Sequence, residues 1–289
     1  MPPSAAICGF DLCAHPRTHA VIAAALGHTS PSPSALTAAE GLGIWPLVIA
    51  SADFGPGQPE PGPRSLRERS HGAAASQLNP NDVSSLTDKW RRHCATIATL
   101  RAVRRALIPT LAGLRWLVLK GDLMSDALFG SPWSRSTSDV DLLVAPADLS
   151  ACLARLIAQG FTPPPPRAPH GNNQLALRHP HLPLCVEVHW ALEIPAWPQP
   201  SPAWVLDRAT PSADEGAQPD PLSLGLITTL HFAHHQGALK PLLDLAAWWD
   251  RFGTSHGPDL FALTQSLGLL RLTSWATATL QPLSSRPRP

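Results

Sequence analysis

The chain is 289 residues long, 44% hydrophobic and 15% charged, with 22 basic against 21 acidic residues and a formal net charge of +1. That length suffices for one large domain or two modest ones, and the even charge balance excludes a nucleic-acid or membrane binder driven by bulk basicity. No apolar run approaches the roughly 20 residues of a bilayer span, and the N-terminus meets Asp11 with no cationic stretch before it, so no membrane helix or secretory signal is expected and the location expected is cytoplasmic.

Residues 1–84 are rich in Pro, Ser, Gly and Ala, with a helical candidate over Ala35 to Ser51 and a breaker-rich stretch at 55–64. They read as a helical lead-in and linker. From Ser85 to Gly113, Leu86, Trp90, Ile97, Leu100, Val103, Leu107 and Leu111 recur at helical spacing, which predicts an amphipathic helix whose arginines form a solvated face. Trp116 to Leu119 is a continuous apolar run, expected as a buried strand ending at Lys120-Gly121. A short helix over Leu123 to Phe129 and the polar loop GSPWSRSTS lead to a second strand, Asp139 to Val144. Pro146 and Asp148 open a helix to Gln159 with Gly160 as its stop. Gln174 to Leu177 is a weak strand and Leu184 to Trp190 a strong one; a Pro-rich connector over 195–221 then precedes a helical region over 222–289.

The expected domain organisation is therefore 1–84 lead-in, 85–194 core with its preceding helix, 195–221 connector and 222–289 helical region. The fold class is α+β, a small mixed sheet flanked by N- and C-terminal helical regions. Five cysteines at irregular spacing (Cys8, Cys13, Cys94, Cys152, Cys185) suggest neither a disulfide framework nor a zinc site. Only three lysines stand against nineteen arginines, a bias of the kind a GC-rich coding sequence imposes. Lys120 and Lys240 thus occupy places where Arg is the default, and a compact point charge differs chemically from a planar fork.

In Asp139-Val140-Asp141 the two-residue strand period puts both carboxylates on one face, with Val140, Leu142 and Val144 turned into a core. The same parity sets Glu187 beside His189 in Val186-Glu187-Val188-His189-Trp190. If the strands are neighbours, three carboxylates converge and need a cation; oxygen ligands suit Mg²⁺ carrying a nucleotide. The competing reading is that DxD is a common tripeptide of ordinary exposed acids. Lys120-Gly121 stands at a strand-to-helix junction suited to phosphate, and Arg135 precedes Asp139 by four residues.

With these elements in order, LVLKGDLMSDALFG, RSTSDVDLLVAPADL, the helix ending in QGF and VEVHWAL, the chain resembles the polymerase-beta-like nucleotidyltransferases. It is most similar to the bacterial group known as uncharacterised nucleotidyltransferases. The resemblance implies a nucleotidyltransferase core in which Asp139, Asp141 and Glu187 are catalytic and hold Mg²⁺, or Mn²⁺ in its place, with Glu187 nearest the attacking hydroxyl. It further implies that Lys120, Gly121, Arg135 and Ser138 bind the nucleotide. His189 is expected as a hydrogen-bond partner of the carboxylates, and His231, His235, Lys240 and Asp244 as accessory residues from the C-terminal helices. Arg135 reads equally as a phosphate ligand or as a structural pair for Asp139 or Asp126.

The implied partners are an NTP, ATP first, and an unidentified hydroxyl acceptor, a protein or a small molecule, with no membrane and no strong nucleic-acid signal. Asp122 departs from the superfamily pattern at the phosphate turn: an acid there is awkward for a triphosphate unless it caps the next helix. It leaves open a non-catalytic binding or regulatory module. A zinc hydrolase is less favoured, because HFAHH lacks the glutamate of HExxH, and no GxSxG occurs for a serine hydrolase. Trp248 and Trp249 read as core, with base stacking as the alternative.

Overall fold

A computed structural model describes residues 38–39, 80–164, 173–182, 184–192, 200–235 and 238–280. The chain divides into two compact units, Met1–Thr87 and Asp88–Pro289. Ala38 and Ala39 are helical; the rest of the helical candidate at 35–51 and the stretch at 55–64 lie outside the described residues.

Helix α1 (Pro80–Thr110) buries Trp90, Ile97, Leu100 and Leu107 along the predicted stripe. Its arginine face departs from expectation. Arg104 is 1% exposed and donates to both Asp122 and Glu215, while Arg101 and Arg105 also reach Glu215. A guanidinium enters an apolar interior only when carboxylates satisfy it, and those partners lie too far along the chain for helical periodicity to announce them.

The strands β1 (Trp116–Val118), β2 (Asp139–Val144), β3 (Gln174–Arg178) and β4 (Cys185–His189) form one sheet in the order β1-β2-β4-β3. β2 runs parallel to β4, and both outer pairings are antiparallel. Val140, Leu142, Val144, Leu177, Val186 and Val188 pack from one face against Ile97, Leu100 and Leu107 of α1, together with Cys152 and Leu156 of α3 (Leu149–Ala158). Helix α2 (Asp122–Phe129) follows β1, and Pro146–Asp148 form a 3₁₀ turn before α3. The observed fold is a mixed α+β architecture with a small mixed sheet and helical regions on either side in the chain.

The Pro-rich passage at 195–221 carries its own short helix α4 (Pro202–Asp207) and a bridge from Thr210 to Gln218. Its Ala217 carbonyl accepts from the Val118 amide at 2.8 Å, continuing the ladder beyond β1. Three helices follow: α5 (Pro221–His234), α6 (Leu239–Ser266) and α7 (Leu270–Leu280). Asp220 caps α5 by accepting from the Ser223 amide, with Pro221 in the first turn where its missing N–H costs nothing. Trp248 and Trp249 are 0% and 5% exposed and belong to the core; Trp248 Nε1 donates to the Pro221 carbonyl at 2.7 Å. None of the described helices is long and apolar enough to cross a membrane.

The α5–α6 contact depends on Gly225, where a Cβ would lie 2.5 Å from the Trp248 ring. Gly225→Ala is expected to lower unfolding free energy by about 1–3 kcal/mol through overpacking, read from urea denaturation; an unchanged midpoint would contradict this packing.

Candidate active site

The β2–β4 register sets Asp139 opposite Cys185, Asp141 opposite Glu187 and Leu143 opposite His189. Because side chains alternate, Asp139, Asp141, Glu187 and His189 leave the sheet on the face away from the valine core. His189 Nε2 lies 3.0 Å from Asp141 Oδ1 and 3.7 Å from Glu187 Oε2. One donor atom from each of these three residues lies within 4.8 Å of the other two. Asp139 falls outside this closest set; its Oδ1 accepts from the Thr137 hydroxyl at 3.3 Å. Gln174, at the start of β3, donates its amide to Glu187 Oε2 at 3.3 Å.

The electrostatics follow from this crowding. Burial pushes the Asp141 carboxyl upward, but the His189 hydrogen bond and the charges of Lys120, His189 and Arg135 outweigh it and hold the group below its ordinary value. At Glu187 the balance reverses: burial, followed by repulsion from Asp141 and Asp139, outweighs the lowering influence of His189 and Lys120 and raises it. Burial, then Glu187 itself, moves the neighbouring Cys185 thiol up to about 11, so it stays neutral beside the site. Carboxylate oxygens from Asp141 and Glu187 with Asp139 alongside are a donor set that fits a hard divalent cation, with His189 as orienting partner or nitrogen ligand.

Cations share this face of the protein with the acids. A cleft of about 500 Å³ is lined by Lys120, Arg135, Ser138, Asp139, Asp141, Glu187, His189, His231, His235 and Lys240, ten of the twelve residues expected from sequence. The other two stand behind it: Gly121 forms the turn into α2 with φ 86°, and Asp244 accepts from Arg135 Nε at 3.1 and 3.0 Å. Asp244, not Asp139 or Asp126, is therefore the structural pair of Arg135. Lys240 Nζ donates to the Ser136 carbonyl at 2.6 Å. Burial and the surrounding charges, Lys120 first, hold the His231 imidazole far below its usual value, so it is neutral.

Sequence reasoning missed Thr137, Asn173, Gln174, Ala191, Ala238 and Pro241 as lining residues, and His234 entered it only as a zinc candidate. Gln174 had no signal, because its reach to Glu187 depends on the β3–β4 register.

With this geometry in place, the family model for uncharacterised nucleotidyltransferases matches residues 71–283. The chain belongs to that family. No curated protein matches the sequence. A solved structure, the solution structure of the antibiotic-resistance factor ANT(2'')-Ia, is similar over 65% of this chain and 96% of that one, with 13% identity and a TM-score of 0.40. A likeness that slight transfers no substrate.

In this member of the family the acid beside the Lys120-Gly121 turn neither lines the cleft nor caps α2. Gly121 takes the N-cap position without any side-chain cap bond. Asp122, 4% exposed, turns toward Arg104, which neutralises it, while its place in the first turn of α2 still suits the helix dipole.

Burial, followed by Arg135, brings the Lys240 amine down from 10.5 to about 8. The folded protein thus holds this proton less tightly than the unfolded chain, and the group's contribution to stability grows as pH rises from about 8 to 10.5. With Lys89, Lys120 and Lys240 as the chain's three lysines, amine acylation followed peptide by peptide in a mass spectrometer is expected to reach half its maximal rate at Lys240 near pH 8. A midpoint near that of free lysine would contradict this environment.

Proposed function

We propose that the protein is a Mg²⁺-dependent nucleotidyltransferase that moves an NMP from an NTP, ATP in the first instance, to an unidentified hydroxyl acceptor and releases pyrophosphate. The observation that supports this reading most is the parallel pairing that sets Asp141 against Glu187, in a cleft that Lys120, Arg135 and Lys240 also line. Clustered carboxylates suit a divalent cation and the cations beside them suit phosphates; a metal-bound triphosphate unites the two.

On this reading Asp139, Asp141 and Glu187 hold the metal. When bound, Mg²⁺ or Mn²⁺ supplies positive charge to the attacking and leaving oxygens and eases ionisation of the acceptor hydroxyl. Lys120 and Arg135 bind phosphate oxygens and balance the charge of the departing pyrophosphate. Ser138, exposed at the entrance to β2, and the Gly121 turn contribute polar contacts to the triphosphate. Glu187, half-buried and held by Gln174 and His189, receives the proton of the acceptor hydroxyl; its raised pKa suits a proton acceptor. His189 orients Asp141. The acceptor is a protein or a small molecule, and the setting is the cytoplasm, where nucleoside triphosphates are available. Pairing of Asp122 with Arg104 answers the electrostatic objection that favoured an inert module.

The test is incubation of purified protein with Mg²⁺, each α-labelled NTP and cell extract, with wild type beside the Asp139→Ala, Asp141→Ala double variant. Wild type is expected to transfer label and release pyrophosphate, with a loss on the order of 10²-fold or more in the variant. Equal transfer by both proteins would refute the assignment.

A further inference from the structure

The polar loop at 130–138 is tied down along its whole length. Near its start, the Ser125 hydroxyl donates to the Ser131 carbonyl at 2.7 Å, and His93 Nε2 lies 2.8 Å from the Trp133 carbonyl. Its second half is held from one turn of α6, where Lys240 donates to the Ser136 carbonyl and Asp244 accepts from Arg135. Lys240 and Asp244 are four residues apart, so they project from the same side of the helix. They therefore grip two consecutive loop residues, and the loop passes directly into Asp139.

The mode of the Arg135 contact matters. Asp244 is 1% exposed and Arg135 7%, so the pair is desolvated and geometrically fixed. Asp244 engages Nε, while Arg135 lines the cleft. The two terminal nitrogens are the part of the guanidinium that remains to form the planar fork, which matches two phosphate oxygens.

We propose that Lys240 and Asp244 are positioning residues: they clamp the Arg135–Ser136 segment so that the Arg135 terminal nitrogens stand ready for phosphate oxygens of the bound nucleotide. The proposal rests on the nucleotidyltransferase reading for its ligand, whereas the clamp itself is a property of the protein alone. On this account the C-terminal helices act on the nucleotide through the loop, and Asp244 acts through Arg135.

Two measurements test this. Amide hydrogen exchange on the full chain is expected to speed up at least about 10-fold over residues 135–138 in Lys240→Met and in Asp244→Asn. Residues 131–134, held by Ser125 and His93, keep their wild-type rates, and Lys240→Arg, which retains a donor for the Ser136 carbonyl, restores slow exchange. Unchanged exchange over 135–138 in Lys240→Met would overturn the clamp; that variant removes no partner of the buried ion pair and keeps the test usable if Asp244→Asn folds poorly.

The second measurement is a double-mutant cycle on Mg²⁺-dependent ATP binding, with melting temperature recorded in parallel. Arg135→Met and Asp244→Asn are each expected to weaken ATP binding by about 10- to 100-fold, and the two together no more than Arg135→Met alone. Losses that multiply, or a lower melting temperature with unchanged affinity, would show that Asp244 does not act through Arg135. If wild type binds no nucleotide while exchange responds as expected, the nucleotide reading fails and the clamp stands.

Discussion

Asp141 on β2 and Glu187 on β4 face one another across a parallel strand pair, and that juxtaposition of like charges is the constraint on which the rest of the site depends. It is imposed from behind. Val140, Leu142 and Val144 on one strand and Val186 and Val188 on the other are buried in a common core. Slipping either strand by one residue would turn its acids into that core and its valines outward. The hydrophobic effect therefore sets the register, and the register assembles the acids. Only after that do the surrounding groups have a charge to answer: His189 on Asp141, Gln174 on Glu187, and the cations that line the same cleft.

Those cations come from distant parts of the chain. Lys120 follows β1, Arg135 sits in the loop before β2, and Lys240 begins α6, more than a hundred residues further on. Burial first, and after it the charge of the neighbouring cations, lowers the Lys240 amine and keeps His231 neutral. A protein gains no stability by gathering three cations in a partly buried place. Carboxylates gathered with cations in one partly buried cleft are a concentration of charge typical of functional sites.

Local pattern was enough to read much of this from sequence. The alternation in DVDLLV and CVEVH predicted two strands and the common face of their acids, because a strand's period of two is a property of each segment alone. The apolar stripe of α1 was legible for the same reason. What escaped were the consequences of long-range contact. Nothing around Arg104 marks it as buried, since Asp122 and Glu215 reach it only after the chain has folded back. For Arg135 the sequence offered a phosphate ligand and a structural pair for Asp139 or Asp126 equally, with proximity the only criterion for a pair, whereas tertiary packing delivers Asp244. Gln174 was invisible because an edge strand's register is fixed by its neighbour.

The burial of Arg104 also bears on the aspartate directly after the Lys120-Gly121 turn. A carboxylate at the first position of α2 would repel a triphosphate if it pointed toward the cleft. In this protein it points the other way, into α1, where Arg104 meets it with Arg101 nearby, and Glu215 from the 210–218 loop balances the excess cations. The same loop hydrogen-bonds the Val118 amide two residues before Lys120. Asp122 thus turns a potential repulsion into an anchor: the first turn of α2 is tied to α1, and the Lys120-Gly121 turn is held between that anchor and the edge contact at Val118. An uncharged residue at 122 would remove the repulsion just as well but would leave buried Arg104 with Glu215 alone. The arginine face of α1 and the acid at the turn are therefore one structural unit, each accounting for the presence of the other.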